Sequence, residues 1–89
     1  MDYSLVYTKS AENDLDMLES ETAKRIIRKL DFYIGQKDPL GYAKKLHGFE
    51  IDTYRYRIGD YRVIFRLDTS TNKLVILVVL KIAHRKEAY

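Results

Sequence analysis

The spacing of hydrophobic residues changes along the chain, and each change marks a new element. Asp2 to Tyr7 has the tyrosine and valine content of a strand. Thr8 or Ser10 offers a helix N-cap, after which Ala11, Leu15 and Leu18 recur at i, i+4 and i+7, leaving Glu12, Asp14, Asp16 and Glu19 for water. Ser20 offers a second cap. Ala23, Ile26, Ile27, Leu30, Tyr33 and Ile34 then trace one apolar stripe that stops at Gly35. The prediction is an αα-hairpin whose bases Lys24, Arg25, Arg28 and Lys29 are solvated or paired with the acids of the first helix.

Lys37 to Gly41 reads as a loop, and Lys44 to Gly48 leads into the next strand. From Ile51 the period becomes two. Thr53 to Ile58 and Tyr61 to Leu67 alternate around Gly59-Asp60, a two-residue hairpin turn with glycine first. Such a turn sets Ile58 opposite Tyr61, and hence Arg57 opposite Arg62, Tyr56 opposite Val63, Arg55 opposite Ile64 and Tyr54 opposite Phe65. Tyr54, Tyr56, Ile58, Tyr61, Val63, Phe65 and Leu67 then share a face suited to the helices, and Arg55, Arg57, Arg62 and Arg66 share the other. Leu74 to Ile82 is an apolar strand without alternation, as expected of a central strand. Matching Asp68 with Lys73 sends Leu74, Ile76, Val78, Leu80 and Ile82 to the helices, brings Asp60 near Lys81, and leaves Val75, Leu77, Val79 and Lys81 on the open face. The expected class is α+β: an N-terminal strand, a helical hairpin and three antiparallel strands, with the helices on one face of a four-stranded antiparallel sheet.

Composition narrows the setting. The 89 residues suffice for one domain spanning 1–89 with one modest core, which a partner covering apolar surface would stabilise. There is no cysteine, so disulfides and thiolate metal sites are excluded and a cytoplasmic address is the default. No signal-like N-terminus is present, and the longest apolar run, Leu74 to Leu80, falls far short of the roughly 18 residues of a membrane helix. The net charge of +3 is mild, but it is unevenly placed: residues 1–22 hold six acids and one base, and the later residues hold fifteen bases and seven acids. The acids show no metal-ligand spacing, and no cofactor is implied.

Arg57 across from Arg62 is the informative detail. Like charges directly opposite on a sheet are destabilising, so folding alone does not ask for them. A guanidinium cluster does suit phosphate, whose oxygens its planar forks bind bidentately. The segment from Tyr54 to Phe65, the apolar strand after it, the tail His84-Arg85-Lys86-Glu87-Ala88-Tyr89 and Lys45-Leu46-His47-Gly48 together resemble the RelE/ParE toxin superfamily. The resemblance spans nearly the whole chain in element order. It implies a toxin of a type II toxin–antitoxin system, held by a cognate antitoxin in a hetero-oligomer. For the RelE branch it implies cleavage of messenger RNA in the ribosomal A site, with ribosome and mRNA as partners.

Carried over by position, the working residues are Arg55 and Arg57 on one strand, Arg62 on the next, and Arg85 and Tyr89 in the tail. Cleavage needs no metal when the RNA's own 2′-OH attacks the adjacent phosphate; the site must orient the groups, stabilise phosphoryl charge and move two protons. Arg62 and Arg85 are expected to stabilise charge. Arg55, Arg57, Lys45, Arg66 and Lys81 are expected to hold RNA. The best-known RelE pattern has lysines at the positions of Arg55 and Arg57, and an arginine cannot replace a lysine in proton transfer. That role falls to Tyr89, or to His84, which strict parity points toward the helices. Ile64, Val75, Leu77 and Val79 are expected to form an apolar strip for the antitoxin. Two other functions compete: a ParE-like toxin that poisons gyrase without cutting RNA, and a non-catalytic nucleic-acid-binding module, against which stands the lack of an aromatic pair on the basic face.

Overall fold

A computed structural model describes residues 2–48, 52–71 and 73–87. Its elements are β1 (Asp2–Tyr7), α1 (Lys9–Asp16), α2 (Ser20–Ile34), a 3-10 turn (Pro39–Tyr42), β2 (Lys44–Leu46), β3 (Thr53–Ile58), β4 (Tyr61–Asp68) and β5 (Leu74–His84). The strands form a five-stranded sheet in the order β1-β5-β4-β3-β2. The α+β class and the helical hairpin are as expected. The strand count and one orientation differ: β1 lies parallel to β5, and Lys44–Leu46 adds a three-residue antiparallel edge strand to β3. So short a strand carries too little periodicity to be seen in sequence. Ile51, where the sequence period changes, lies outside the described residues.

The helices cover one face of the sheet. Ala11, Ile26, Leu30 and Tyr33 pack on Tyr56, Ile58, Val63, Phe65, Val75, Leu77, Val79 and Ile82, with Tyr3, Leu5 and Tyr7 of β1 partly buried beside them. Each large side chain so buried contributes roughly 1.5–3 kcal/mol. Tyr56 is wholly buried, and its hydroxyl donates to the Pro39 carbonyl at 2.8 Å. Burial, then the neighbouring Tyr33, Tyr3 and Asp38, raises its pKa far above the ordinary tyrosine value, so it stays a donor. The described residues contain no helix long and apolar enough to cross a membrane.

Thr8 is the cap of α1: its hydroxyl accepts from the Ala11 N–H at 3.1 Å. Ser20 is not a cap but the first residue of α2, which follows Glu19 and has no side-chain cap bond. The bases of α2 do not all face α1; Lys24 pairs with Glu21 of its own helix at 3.9 Å.

The β3–β4 register is the predicted one at every pair from Ile58↔Tyr61 to Tyr54↔Phe65. Gly59 has φ +59°, the left-handed conformation that a glycine-first turn requires. The β4–β5 register is different from the expectation. Tyr61 faces His84, Arg62 faces Ala83, Val63 faces Ile82 and Ile64 faces Lys81, but Phe65 faces Val79, so Leu80 is an extra residue and β5 is bulged there.

The bulge reverses the parity of half the strand. Beyond it Lys81 keeps its predicted face, and so does Ile82. Before it Val75, Leu77 and Val79 turn to the helices, 7%, 0% and 0% exposed, so they cannot form the open strip expected of them. Ile76 and Val78 take the open face opposite Asp68 and Arg66, and Leu74 follows by alternation. Helix α1 satisfies the backbone groups around the bulge. The Thr8 hydroxyl donates to the carbonyls of Val79 (3.0 Å) and Leu80 (3.3 Å), and Asp14, expected to face only water, accepts from the Ile82 N–H through Oδ2 at 2.9 Å.

Candidate functional site

On the face away from the helices, side chains line up in rows across the strands. Nearest the β3–β4 turn, Arg57 of β3, Arg62 of β4 and Ala83 of β5 form one row. The next holds Lys44, Arg55, Ile64 and Lys81. The third holds Leu46, Thr53, Arg66, Val78 and Val6. Beyond it lie Asp68, Ile76 and Ser4. The face is therefore basic at the turn end and apolar with an acid at the other. The described strands place no aromatic ring on it.

The arginines are held differently. Arg57 is exposed, whereas Arg62 is only 8% exposed. The Arg62 guanidinium reaches the hairpin turn, where Nη1 donates to the carbonyls of Gly59 at 3.3 Å and Tyr61 at 3.2 Å. Arg55 is half-buried, and its Nε is buried without a hydrogen-bond partner. A buried donor left unpaired costs about 1–3 kcal/mol, a cost the fold carries at this position.

The tail folds back onto the same turn. The Arg85 N–H donates to the Asp60 carbonyl at 2.7 Å, and Arg85 Nε lies 3.8 Å from Asp60 Oδ1. Both side chains are more than half exposed, so the ion pair contributes at most about 1 kcal/mol and yields readily to a phosphate. The expected Asp60–Lys81 pairing is replaced by this one, because the true register sets Lys81 opposite Ile64. Arg57, Arg62 and Arg85 thus gather at one end of the sheet, with Arg55 and Lys81 one row away.

Three expected residues fall elsewhere or outside. Lys45 sits opposite Tyr54, on the helix side by parity, and pairs with Asp52 at 3.3 Å; it is Lys44, missed in the sequence, that joins Arg55 on the open face. Only the pairing of the short edge strand distinguishes the two lysines. His84 faces the helix side, as parity predicted. It packs edge-on against Tyr61 (5.5 Å between centroids, 86°), accepts from the Lys86 N–H at Nδ1 (3.3 Å), and lines a cavity of about 340 Å³ with Asp14, Leu18 and Glu87. Tyr89 lies outside the described residues. Among those residues no three His, Asp or Glu side chains converge as a ligand set.

Chemically, the turn end gathers guanidiniums whose planar forks suit an anionic group such as a phosphate. The Arg62 guanidinium is held before a ligand arrives, by two turn carbonyls, whereas Arg85 is anchored through its backbone N–H and can exchange Asp60 for an anion.

Comparison with known proteins places the chain. The family model described as ParE toxin of type II toxin–antitoxin system, parDE, matches residues 5–89. Toxin RelG of Mycobacterium tuberculosis (strain ATCC 25618 / H37Rv) is 28% identical over 91 residues, covering 100% of this chain and 98% of RelG. Among solved structures, the RelE–RelB complex of the archaeon Pyrococcus horikoshii OT3 matches with a TM-score of 0.70 at 28% identity, over 99% of this chain and 100% of that one. The toxin–antitoxin complex RelBE2 of M. tuberculosis matches with a TM-score of 0.74 at 24% identity, over 96% and 100% of the two chains. The intact RelBE complex of E. coli, at 18% identity and a TM-score of 0.69 over 92% and 95%, shares the fold.

Proposed function

The chain belongs to the ParE toxin family of type II toxin–antitoxin systems, and we propose, from its arginine cluster, that it is a metal-independent endoribonuclease that cuts messenger RNA in the ribosomal A site and so stops translation. The observation that carries this reading is Arg57 set directly against Arg62, with Arg85 tied beside them through Asp60. That cluster opposes folding and suits phosphate.

In the proposed step the 2′-oxygen loses its proton and bonds to phosphorus, the bond from phosphorus to the 5′-oxygen breaks, and that oxygen takes up a proton. The products are a 2′,3′-cyclic phosphate and a 5′-hydroxyl. Arg62 and Arg85 stabilise charge on the phosphoryl oxygens. Arg55 and Arg57, with Lys44, Arg66 and Lys81, hold the backbone. A guanidinium stays protonated at any relevant pH, so proton transfer falls to Tyr89; His84, on the opposite face, is the lesser candidate.

The solved relatives named above are complexes with RelB-type antitoxins. A cognate antitoxin here would lay apolar residues over Val6, Ile76 and Ile64 and direct acids at the arginines, in a hetero-oligomer that occludes the site. Val6 is 47% exposed, which leaves that end of the face open to such a partner.

The name of the matching family favours a second reading, a toxin that poisons gyrase without cutting RNA. One experiment separates the two. Purified protein is incubated with a reporter mRNA, with and without ribosomes, and with gyrase on plasmid DNA. Ribosome-dependent cuts ending in 2′,3′-cyclic phosphate, lost in Arg62→Ala, support the nuclease. Intact mRNA together with trapped, cleaved plasmid supports the second reading.

A further inference from the structure

Among the described residues the basic face carries no ring on which a base can stack, but the helix-covered side has one. Phe65, Tyr56, Tyr33 and Tyr42 form a ladder of near-parallel rings, with centroids 4.7, 4.4 and 4.9 Å apart and interplanar angles of 23°, 24° and 28°. It begins in the core, where Phe65 and Tyr56 are wholly buried, and ends at Tyr42, which is 50% exposed. One face of Tyr42 is covered by Tyr33, and Phe32, 49% exposed, stands edge-on beside it at 6.3 Å. Folding does not require the outermost ring to be aromatic, since any apolar side chain would cover Tyr33.

Beside Tyr42 is an open cavity of about 340 Å³ lined by Gln36, Lys37, Asp38 and Gly41. Gln36 is oriented by its own Nε2, which donates to the Phe32 carbonyl at 3.1 Å, leaving its amide oxygen as an acceptor. The Asp38 carboxylate lies over Gly41, where an added Cβ would come within 3.0 Å of Oδ2. The surroundings are cationic: Lys29 Nζ lies 5.1 Å from the Phe32 ring centre, Lys37 lines the cavity, and exposed Lys44 follows Tyr42 by two residues. A flat aromatic step, acceptors at its edge and cations around it fit an unpaired nucleobase on a phosphate backbone.

We propose that Tyr42 is the platform of a nucleobase site, in which an unpaired base of RNA extends the ring ladder while Gln36 and Asp38 accept from its amino group. Lys44 links this site to the arginines, because it stands opposite Arg55 on the basic face. An RNA strand can pass over the β2 edge with its phosphates on the arginines and one base on Tyr42. This site rests on the RNA reading above and adds a second anchor to it.

The test is a fluorescence-anisotropy titration of the full chain with a labelled twelve-nucleotide oligoadenylate at low salt. Stacking of one base predicts that Tyr42→Leu, which keeps apolar cover on Tyr33, weakens binding roughly 5- to 150-fold. Its salt dependence should be unchanged, and Tyr42→Phe should bind as the wild type does. Arg57→Ala should weaken binding and flatten the salt dependence. Wild-type affinity in Tyr42→Leu with loss in Arg57→Ala overturns the platform and leaves the RNA reading intact. Loss of antitoxin binding in Tyr42→Leu, with RNA binding unaffected, reassigns the patch to a protein contact and also overturns it. No binding by the wild-type chain overturns the platform and leaves the nuclease reading to the cleavage assay with ribosomes. Should Tyr42→Leu fail to fold, upfield shifts of the Tyr42 ring protons on adding the oligonucleotide to wild-type protein decide the matter; their absence overturns the site.

Discussion

On the helix side of the β3–β4 hairpin Tyr56, Val63 and Phe65 are wholly buried, while one residue away along the same strands Arg57 stands in water and Arg62 leans on the turn carbonyls. The two sets share a backbone, a register and a turn, so local structure does not separate them. Their environments do. Packing dictates the first set, whose ring ladder fills the space under α2. Packing does not ask for Arg57 and uses Arg62 only as a donor to the turn carbonyls, and the facing arginines repel. Basic residues that the core does not require, held in place by residues that it does, are the arrangement expected of a site for an anionic substrate.

Substitutions on the two faces should therefore fail in different ways. The largest stability effect is expected for Phe65→Ala, which empties the centre of the core and should cost about 3–5 kcal/mol. For so small a chain that is a large part of the total, and thermal melting by circular dichroism should show the transition lowered or lost. Toxicity would fall with it only because the fold is gone.

Arg62→Ala and Arg85→Ala should do the reverse. Removing a guanidinium that acts in the transition state costs about 2.7–4 kcal/mol of barrier, a hundredfold or more in cleavage rate. Stability should change far less for Arg85, whose pair is exposed, than for Phe65. Single-turnover cleavage measured beside a melt gives the contrast. Equal loss of fold and rate in both arginine variants would erase the distinction between the faces.

Asp14→Ala tests where the helix side reaches into the sheet. Its carboxylate accepts from the Ile82 N–H beyond the bulge, so the variant should lose about 1–3 kcal/mol. Cleavage should survive in the fraction still folded. Slowed amide exchange at Ile82 in the wild type, lost in the variant, checks the same bond.

The hairpin is legible in sequence because a two-residue turn with glycine first leaves one register, and that register alone sets Arg57 against Arg62. Strand β5 is not. Its run of Val, Ile and Leu offers either face equally to the core, so only pairing decides, and one extra residue at Leu80 reverses the choice for everything before it. The open face expected for Val75, Leu77 and Val79 fails for that reason. The parallel pairing of β1 is equally hidden, since it joins residues more than 70 positions apart, Tyr3 with Val75 among them. Asp14 has the spacing of a solvated acid because its partner is a backbone N–H, which has no letter in the sequence.

The smallest effect is expected at the turn where the two faces meet. Gly59 is in the left-handed region at φ +59°, and a Cβ there would lie 2.9 Å from Arg25 Nη2 on the helix side, while its carbonyl receives Arg62 on the other. Gly59→Ala should cost about 1–2 kcal/mol from backbone conformation, and Gly59→Asn less, because asparagine tolerates that region. Crowding against Arg25 is a separate contribution. Arg25 is exposed on α2 and its guanidinium is the far end of a flexible chain, so it can swing away at little cost. A double-mutant cycle with Arg25→Ala measures this directly. A coupling below about 0.5 kcal/mol means that the turn's own geometry accounts for the loss; a larger one means that Arg25 is held against the turn, and that the helix side fixes the position of the carbonyl on which Arg62 rests.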